Sequence, residues 1–108
     1  MLLAERTLDA LGDPTRRQIF KRLKDGNKSV EEISRGLSVS RPAVSQHLKV
    51  LKTAGLAVVR VEGTRRIYAV DTRGLMALRG WLDGFWDKTL MAFKDAAEKE
   101  AARERERR

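Results

Sequence analysis

The 108-residue sequence predicts a mainly helical domain carrying one small β-hairpin, in the order α-α-α-α-β-β-α. Three observations support this. Capping residues stand in front of three apolar stripes with helical spacing, the apolar period changes from helical to alternating after Gly55, and positive charge is concentrated where that change occurs.

The first helix is expected over Leu3 to Leu11, with Leu3, Leu8 and Leu11 as its apolar positions. Gly12-Asp13-Pro14 stops it and starts the next, because Asp13 suits an N-cap and Pro14 a first turn where no N–H partner is lost. Ile19, Phe20 and Leu23 form the buried face of the second helix, and Gly26 fits just past its end. Ser29-Val30-Glu31-Glu32 is a capping box opening a short third helix, with Val30, Ile33 and Leu37 inward. Leu37 to Ser40 makes a tight connection. Ser40 then caps a fourth helix, Arg41 to Thr53, whose stripe is Val44, Leu48 and Leu51 and whose terminator is Gly55. Ala57 to Val61 and Thr64 to Val70 are β-branched runs joined by Glu62-Gly63 as a two-residue turn. From Thr72 onward one long helix is expected. Leu75, Leu78, Leu82, Phe85, Thr89 and Phe93 repeat at near-heptad spacing, widened by Trp81, Trp86 and Leu90. Residues 96–108 mix Glu with Arg and Lys, with alanine alone as apolar matter, and read as a frayed helix or a disordered tail beyond a domain of residues 1–95. Two short helices, a tight turn and a basic hairpin together make a winged helix-turn-helix.

The net charge of +8 is unevenly placed. Residues 41–66 hold Arg41, Lys49, Lys52, Arg60, Arg65 and Arg66 against Glu62 alone, a net of +5, while the flanking stretches 1–40 and 67–108 contribute +2 and +1. Such a patch favours a polyanion, nucleic acid first and an anionic membrane surface second. The absence of cysteine removes disulfides, thiolate metal sites and thiol catalysis. Met1-Leu2-Leu3-Ala4 is too short for the apolar part of a signal peptide, and no apolar run approaches the roughly 18 residues of a membrane span, so a soluble cytoplasmic protein is expected.

Three segments carry a family resemblance: ALGDPTRRQIFKRL (Ala10–Leu23), SVSRPAVSQHLKVLKTAGL (Ser38–Leu56) and EGTRRIYAV (Glu62–Val70). Over residues 4–95 the chain resembles the ArsR/SmtB family of bacterial winged-helix repressors. The resemblance implies a homodimer joined through first and last helices, bound to a double-stranded DNA operator of two-fold symmetry. It places the helix Arg41–Thr53 in the major groove and the hairpin 57–70 as wing. Metal-sensing members place cysteines on the third helix, or Asp, His and Glu ligands on the last. Here the third helix reads SVEEISRG and the last has no histidine, so no metal and no cofactor is expected. The chain looks more like the metal-independent, SdpR-like branch.

Residue chemistry assigns the contacts. Arg41 suits bidentate bonding to guanine, Gln46 to adenine, and Ser45 to either base edge. Pro42 fits a thymine methyl or, equally, a first helical turn. Lys49 and Lys52 suit phosphates, with the cap Ser40 beside them. Arg60, Arg65 and Arg66 suit backbone or minor-groove contact by the wing, or else a charged tip that guards sheet edges. Strand alternation puts Arg66 beside Tyr68 on the packed face and Arg65 outward. Arg16 and Arg17 are expected in solvent or paired with Asp13, and His47, the one histidine, is expected to be structural. Leu3, Leu8, Leu78, Trp81, Leu82, Phe85, Trp86 and Phe93 are the expected dimer interface. Gly80 and Gly84, one turn apart, point to close approach of a neighbouring helix or to a kink.

Two other readings remain. One is a repressor answering to a metal or small molecule at an unrecognised site, which dialysis against a metal panel would detect. The other is a winged-helix protein-interaction module, for which random DNA would compete as well as promoter DNA. An enzyme is not expected, since the sequence shows no nucleophile–base pair, metal cluster or phosphate loop.

Overall fold

A computed structural model describes residues 2–107 and adds one strand to the expected order. The elements are α1 (Leu2–Leu11), α2 (Pro14–Lys24), β1 (Lys28–Ser29), α3 (Val30–Ser34), α4 (Arg41–Thr53), β2 (Ala57–Glu62), β3 (Arg65–Val70) and α5 (Arg73–Arg107). Met1 and Arg108, the outer ends of the expected segments 1–95 and 96–108, lie outside the described residues.

Each expected cap is in place. Asp13 accepts the Arg16 N–H at 3.0 Å, and Ser40 Oγ accepts the Ala43 N–H at 3.3 Å. Ser29 and Glu32 close the capping box in both directions, each bond 3.2 Å. Past α4, Gly55 takes φ +72°. The Leu56 N–H then reaches back to Leu51 O at 2.9 Å and the Gly55 N–H to Lys52 O at 3.1 Å. That pair of bonds is a Schellman stop, which needs a residue tolerant of the left-handed region.

The core is built by α2, α3, α4 and the sheet. Ile19, Leu23, Ile33, Val44, Leu48, Leu51 and Leu56 are buried, and Tyr68 of β3 closes it. Burying each large aliphatic side chain contributes about 1.5–3 kcal/mol. The three α4 residues in this set therefore fix the rotation of that helix about its own axis.

Two expectations need correction, and two others are made more definite. β1 pairs with β3 through Lys28↔Tyr68 and Ser29↔Ile67, so the hairpin is part of a three-stranded antiparallel sheet ordered β1-β3-β2. The register Glu62↔Arg65 makes Gly63-Thr64 the two-residue loop, with Gly63 at φ +61° as its first position demands. In α1 the inward residues are Ala4, Thr7 and Ala10, while Leu3 is half-buried and Leu8 exposed. Of the two alternatives for the charged end, α5 takes the helical one over the described residues. It runs unbroken to Arg107, about 52 Å at the usual helical rise, in a molecule 76 Å long. From Arg79 to its end every described side chain on α5 is exposed. No described helix is long and apolar enough to cross a membrane.

Candidate nucleic-acid interface

Packing decides what α4 displays. With Val44, Leu48 and Leu51 inward, Ser40, Arg41, Pro42, Ser45, Gln46, Lys49 and Lys52 are all exposed. Two grooves flank this face. One is a cleft in which Arg41 meets Ser29, Glu31, Thr64, Arg65 and Arg66, so the start of α4 and the tip of the hairpin share a wall. The other runs between α4 and α1, with Gln46, Lys49 and Val50 opposite Arg6, Asp9 and Arg16.

The hairpin arginines differ in their surroundings. Arg65 is on the solvent face of the sheet, as alternation requires, but bends back: its Nη2 lies 3.1 Å from Glu32 Oε1 and 3.2 Å from Ser29 Oγ. Arg66 shares the side of Tyr68 yet is exposed, because the hairpin tip projects past the core that buries Tyr68. Arg60 stands on the outer strand β2, ion-paired to Glu62 at 2.9 Å, and borders a different groove with Asn27, Val58 and Ile67. Arg41 is within 4.0 Å of Glu31. Glu32 is held below the usual carboxylate range, chiefly by the Ser29 N–H, then by the Ser29 hydroxyl and, more weakly, Arg65.

Arg16 and Arg17 are occupied elsewhere. Arg16 Nε donates to Ala10 O at 2.7 Å and Arg17 Nη1 to Leu11 O at 2.8 Å, finishing the open carbonyls of α1; Arg16 also lies 3.9 Å from Asp13. Asp13 sits below its ordinary range, first because of the Arg16 N–H, with a smaller contribution from nearby His47. His47 itself is half-buried on α4. Among the described residues no group of three His, Cys, Asp or Glu side chains is placed to hold a metal ion.

The far end of α4 is fixed by residues that the sequence reading passed over. Thr7 Oγ1 donates to Ala54 O at 2.7 Å in a buried bond, and the Gly74 N–H donates to Gly55 O at 2.8 Å. A Cβ on Gly74 would lie 2.6 Å from Ala54 O and 2.7 Å from Gly55 O. Two consecutive carbonyls at the stop of α4 are thus taken up by α1 and by α5. Beside them Asp71, 7% exposed, accepts the Arg73 N–H at 3.0 Å and its guanidinium at 2.8 Å. The Arg73 side chain, with its N–H, holds the Asp71 carboxyl below its usual range despite burial. A glycine in the first turn of a helix, with its cost of about 1 kcal/mol against alanine, was the signal available for Gly74.

Along α5, Leu78 is half-buried, whereas Leu82, Trp81, Phe85, Trp86 and Phe93 are exposed, Trp86 at 53% and Phe93 at 73%. Trp81 and Phe85 stack with centroids 6.1 Å apart, and Trp86 meets Phe85 edge-on at the same distance. A Cβ on Gly80 or Gly84 would meet nothing within 4 Å, so no neighbour among the described residues requires either glycine.

Comparison with known proteins places this arrangement. Residues 13–58 match the family model described as bacterial regulatory protein, arsR family. The HTH-type transcriptional regulator Rv2034 of Mycobacterium tuberculosis is 52% identical over 96 residues, covering 89% of this chain and 90% of that protein. The chain belongs to the ArsR family. The transcriptional repressor SdpR of Bacillus subtilis is 33% identical, covering 73% of this chain and 88% of its own length. Among solved structures, the homodimeric winged helix-turn-helix DNA-binding domain of Mb0332 from Mycobacterium bovis superposes with a TM-score of 0.63 at 30% identity, covering 82% of each chain. This ArsR-family chain is therefore a DNA-binding transcriptional regulator with a winged helix-turn-helix fold, and its family is one of regulators, not enzymes.

Proposed function

We propose that this ArsR-family protein is a homodimeric repressor that occupies a two-fold symmetric operator, with α4 in the major groove and the β2–β3 hairpin as wing. The observation that carries the reading is the cleft joining Arg41 of α4 to Thr64, Arg65 and Arg66 of the hairpin tip. A duplex lying along α4 would meet helix and wing together. Arg41, Ser45 and Gln46 are the base readers, with Pro42 against an apolar base edge. Lys49, Lys52 and Ser40 hold phosphates, Arg66 and Arg65 follow the backbone from the wing, and Arg60 acts from its outer strand.

The dimer forms through α1 and α5, using Leu3, Leu8, Leu78, Trp81, Leu82, Phe85, Trp86 and Phe93. A run of exposed aromatic rings this long exceeds what a monomer ordinarily leaves in water. Residues 1–95 carry both tasks, and the alanine-rich charged end of α5 lengthens that helix beyond them. The protein works on cytoplasmic bacterial DNA without a metal.

Selection of bound duplex from a random pool tests the whole reading. The expected product has two inverted half-sites centred about 10–10.5 base pairs apart or a multiple of it. Gln46→Ala should then relax one position per half-site by about tenfold and leave the salt dependence unchanged. Equal loss on selected and random DNA would remove Gln46 from the readers, and enrichment of no sequence would remove the reading itself.

A further inference from the structure

Three of the four interface arginines carry a carboxylate: Arg41 on Glu31 (4.0 Å), Arg65 on Glu32 (3.1 Å) and Arg60 on Glu62 (2.9 Å). The first two acids are neighbours on α3, an element that the reading above gives no part in DNA contact. We propose that Glu31 and Glu32 hold down phosphate-driven binding to arbitrary DNA without touching a base, and that Glu31 also sets specificity by orienting Arg41. The inference rests on the reading of α4 and the hairpin as the DNA interface.

The geometry fixes Glu32 by hydrogen bonds and holds Glu31 at ion-pair distance. Glu32 Oε1 is fixed by the Ser29 N–H (3.2 Å), the Ser29 hydroxyl (3.0 Å) and Arg65 Nη2 (3.1 Å), so its charge cannot swing away from Arg65 without opening the capping box. Glu31 lies between Arg35 (3.9 Å) and Arg41 (4.0 Å) and lines the same cleft as Arg65 and Arg66. Both carboxylates therefore stand beside arginines of the strongly basic segment 41–66.

Their effect differs between wrong and right DNA. On an arbitrary sequence the affinity comes from cations meeting phosphates. There each acid competes with phosphate for its arginine and repels the phosphate itself, and nothing offsets that loss. On the correct sequence Arg41 has a second employment. A guanidinium has five N–H donors in a fixed fork, so a carboxylate on one edge leaves the others for the paired acceptors of guanine. The acid then limits the directions in which the fork points, and less freedom is lost on binding. The repulsion is present in both complexes and the orienting gain in one.

The test is fluorescence anisotropy at fixed ionic strength with two duplexes, one selected by the wild type and one scrambled from it. Glutamine is isosteric and keeps the reciprocal bonds of the capping box, so Glu32→Gln preserves the start of α3. Glu31→Gln lies outside that box, and Glu104→Gln, far along α5, controls for net charge. The doubly substituted protein should bind the scrambled duplex about tenfold tighter and the selected duplex about threefold tighter, since each acid contributes about threefold through repulsion and the lost orientation of Arg41 offsets the Glu31 share on the selected duplex. Glu31→Gln alone should give about threefold on scrambled DNA, which holds the test open if Glu32→Gln lowers the melting point. Equal tightening on both duplexes, or equal effects from Glu104→Gln, would overturn the proposal and reduce the acids to bulk charge. A wild type that enriches no sequence would overturn the interface assignment, a result distinct from either.

Discussion

Gly74→Ala tests the joint between α4, α1 and α5. The new Cβ would stand 2.6 Å from Ala54 O, 2.7 Å from Gly55 O and 2.7 Å from Thr7 Oγ1. The first two obstacles are backbone, so no rotamer relieves the contact and the start of α5 must retreat by about half an ångström, a strain of the kind that costs about 1–3 kcal/mol in a packed site. The retreat also weakens the 2.8 Å bond from the Gly74 N–H to Gly55 O, worth about 1 kcal/mol. Alanine returns about 1 kcal/mol of helix propensity. The balance is a loss of about 2 kcal/mol, or about 10 °C in melting temperature for a domain of this size. Circular dichroism melts at one fixed protein concentration measure it, since dimerisation would make the midpoint concentration-dependent. Below both melting points the variant should also lose about tenfold in affinity for its selected duplex, because the end of α4 shifts with its carbonyls. An unchanged or raised melting temperature would refute the close approach of α5 to the α4 stop.

Acid should expose the buried carboxylate. Asp71, Glu32 and Asp13 all titrate below their usual values in the folded chain. Their contribution is present above the unfolded carboxylate range and disappears as pH falls through the folded values. Stability to urea should therefore stay level from neutral pH to about pH 5 and decline below about pH 4, and Asp71→Asn should flatten that decline; an identical acid slope in the variant would exclude Asp71 as a cause. Trp86→Glu should convert the dimer to monomer in sizing chromatography while leaving the monomer folded, since Trp86 is 53% exposed in the single chain; a persisting dimer would move the seam off this face of α5.

Local signals in the chain were enough for what is local in the fold. The caps at Asp13, Ser29 and Ser40 and the stop at Gly55 depend on a few adjacent residues, and each is found as its residue types require. The burial of Val44, Leu48 and Leu51, and with it the exposure of the opposite α4 face, follows from helical period alone. What escaped is what depends on partners distant in sequence. β1 has two residues, too few for a period, and exists because Tyr68 and Ile67 pair with it some 40 positions on. The leucine spacing marks Leu3, Leu8 and Leu11 as the apolar positions of α1, yet inside the single chain the core takes Ala4, Thr7 and Ala10. Arg65 follows the alternation of its strand, but its final direction is set by its ion pair with Glu32.

The same distinction bears on how the recognition helix is aimed. Its rotation is decided by its own stripe, and its far end is held at Ala54 and Gly55, whose carbonyls accept from Thr7 and Gly74. In a dimer built on α1 and α5, these two bonds are the shortest mechanical link between the seam and the DNA-reading face. Both are buried or backbone in character, so neither can be lost without leaving an α4 carbonyl without a partner. The spacing of two recognition helices would then depend on a threonine and a glycine that touch neither DNA nor the second copy. Small shifts of α5 against α1 would be passed to the end of α4 through these two carbonyls.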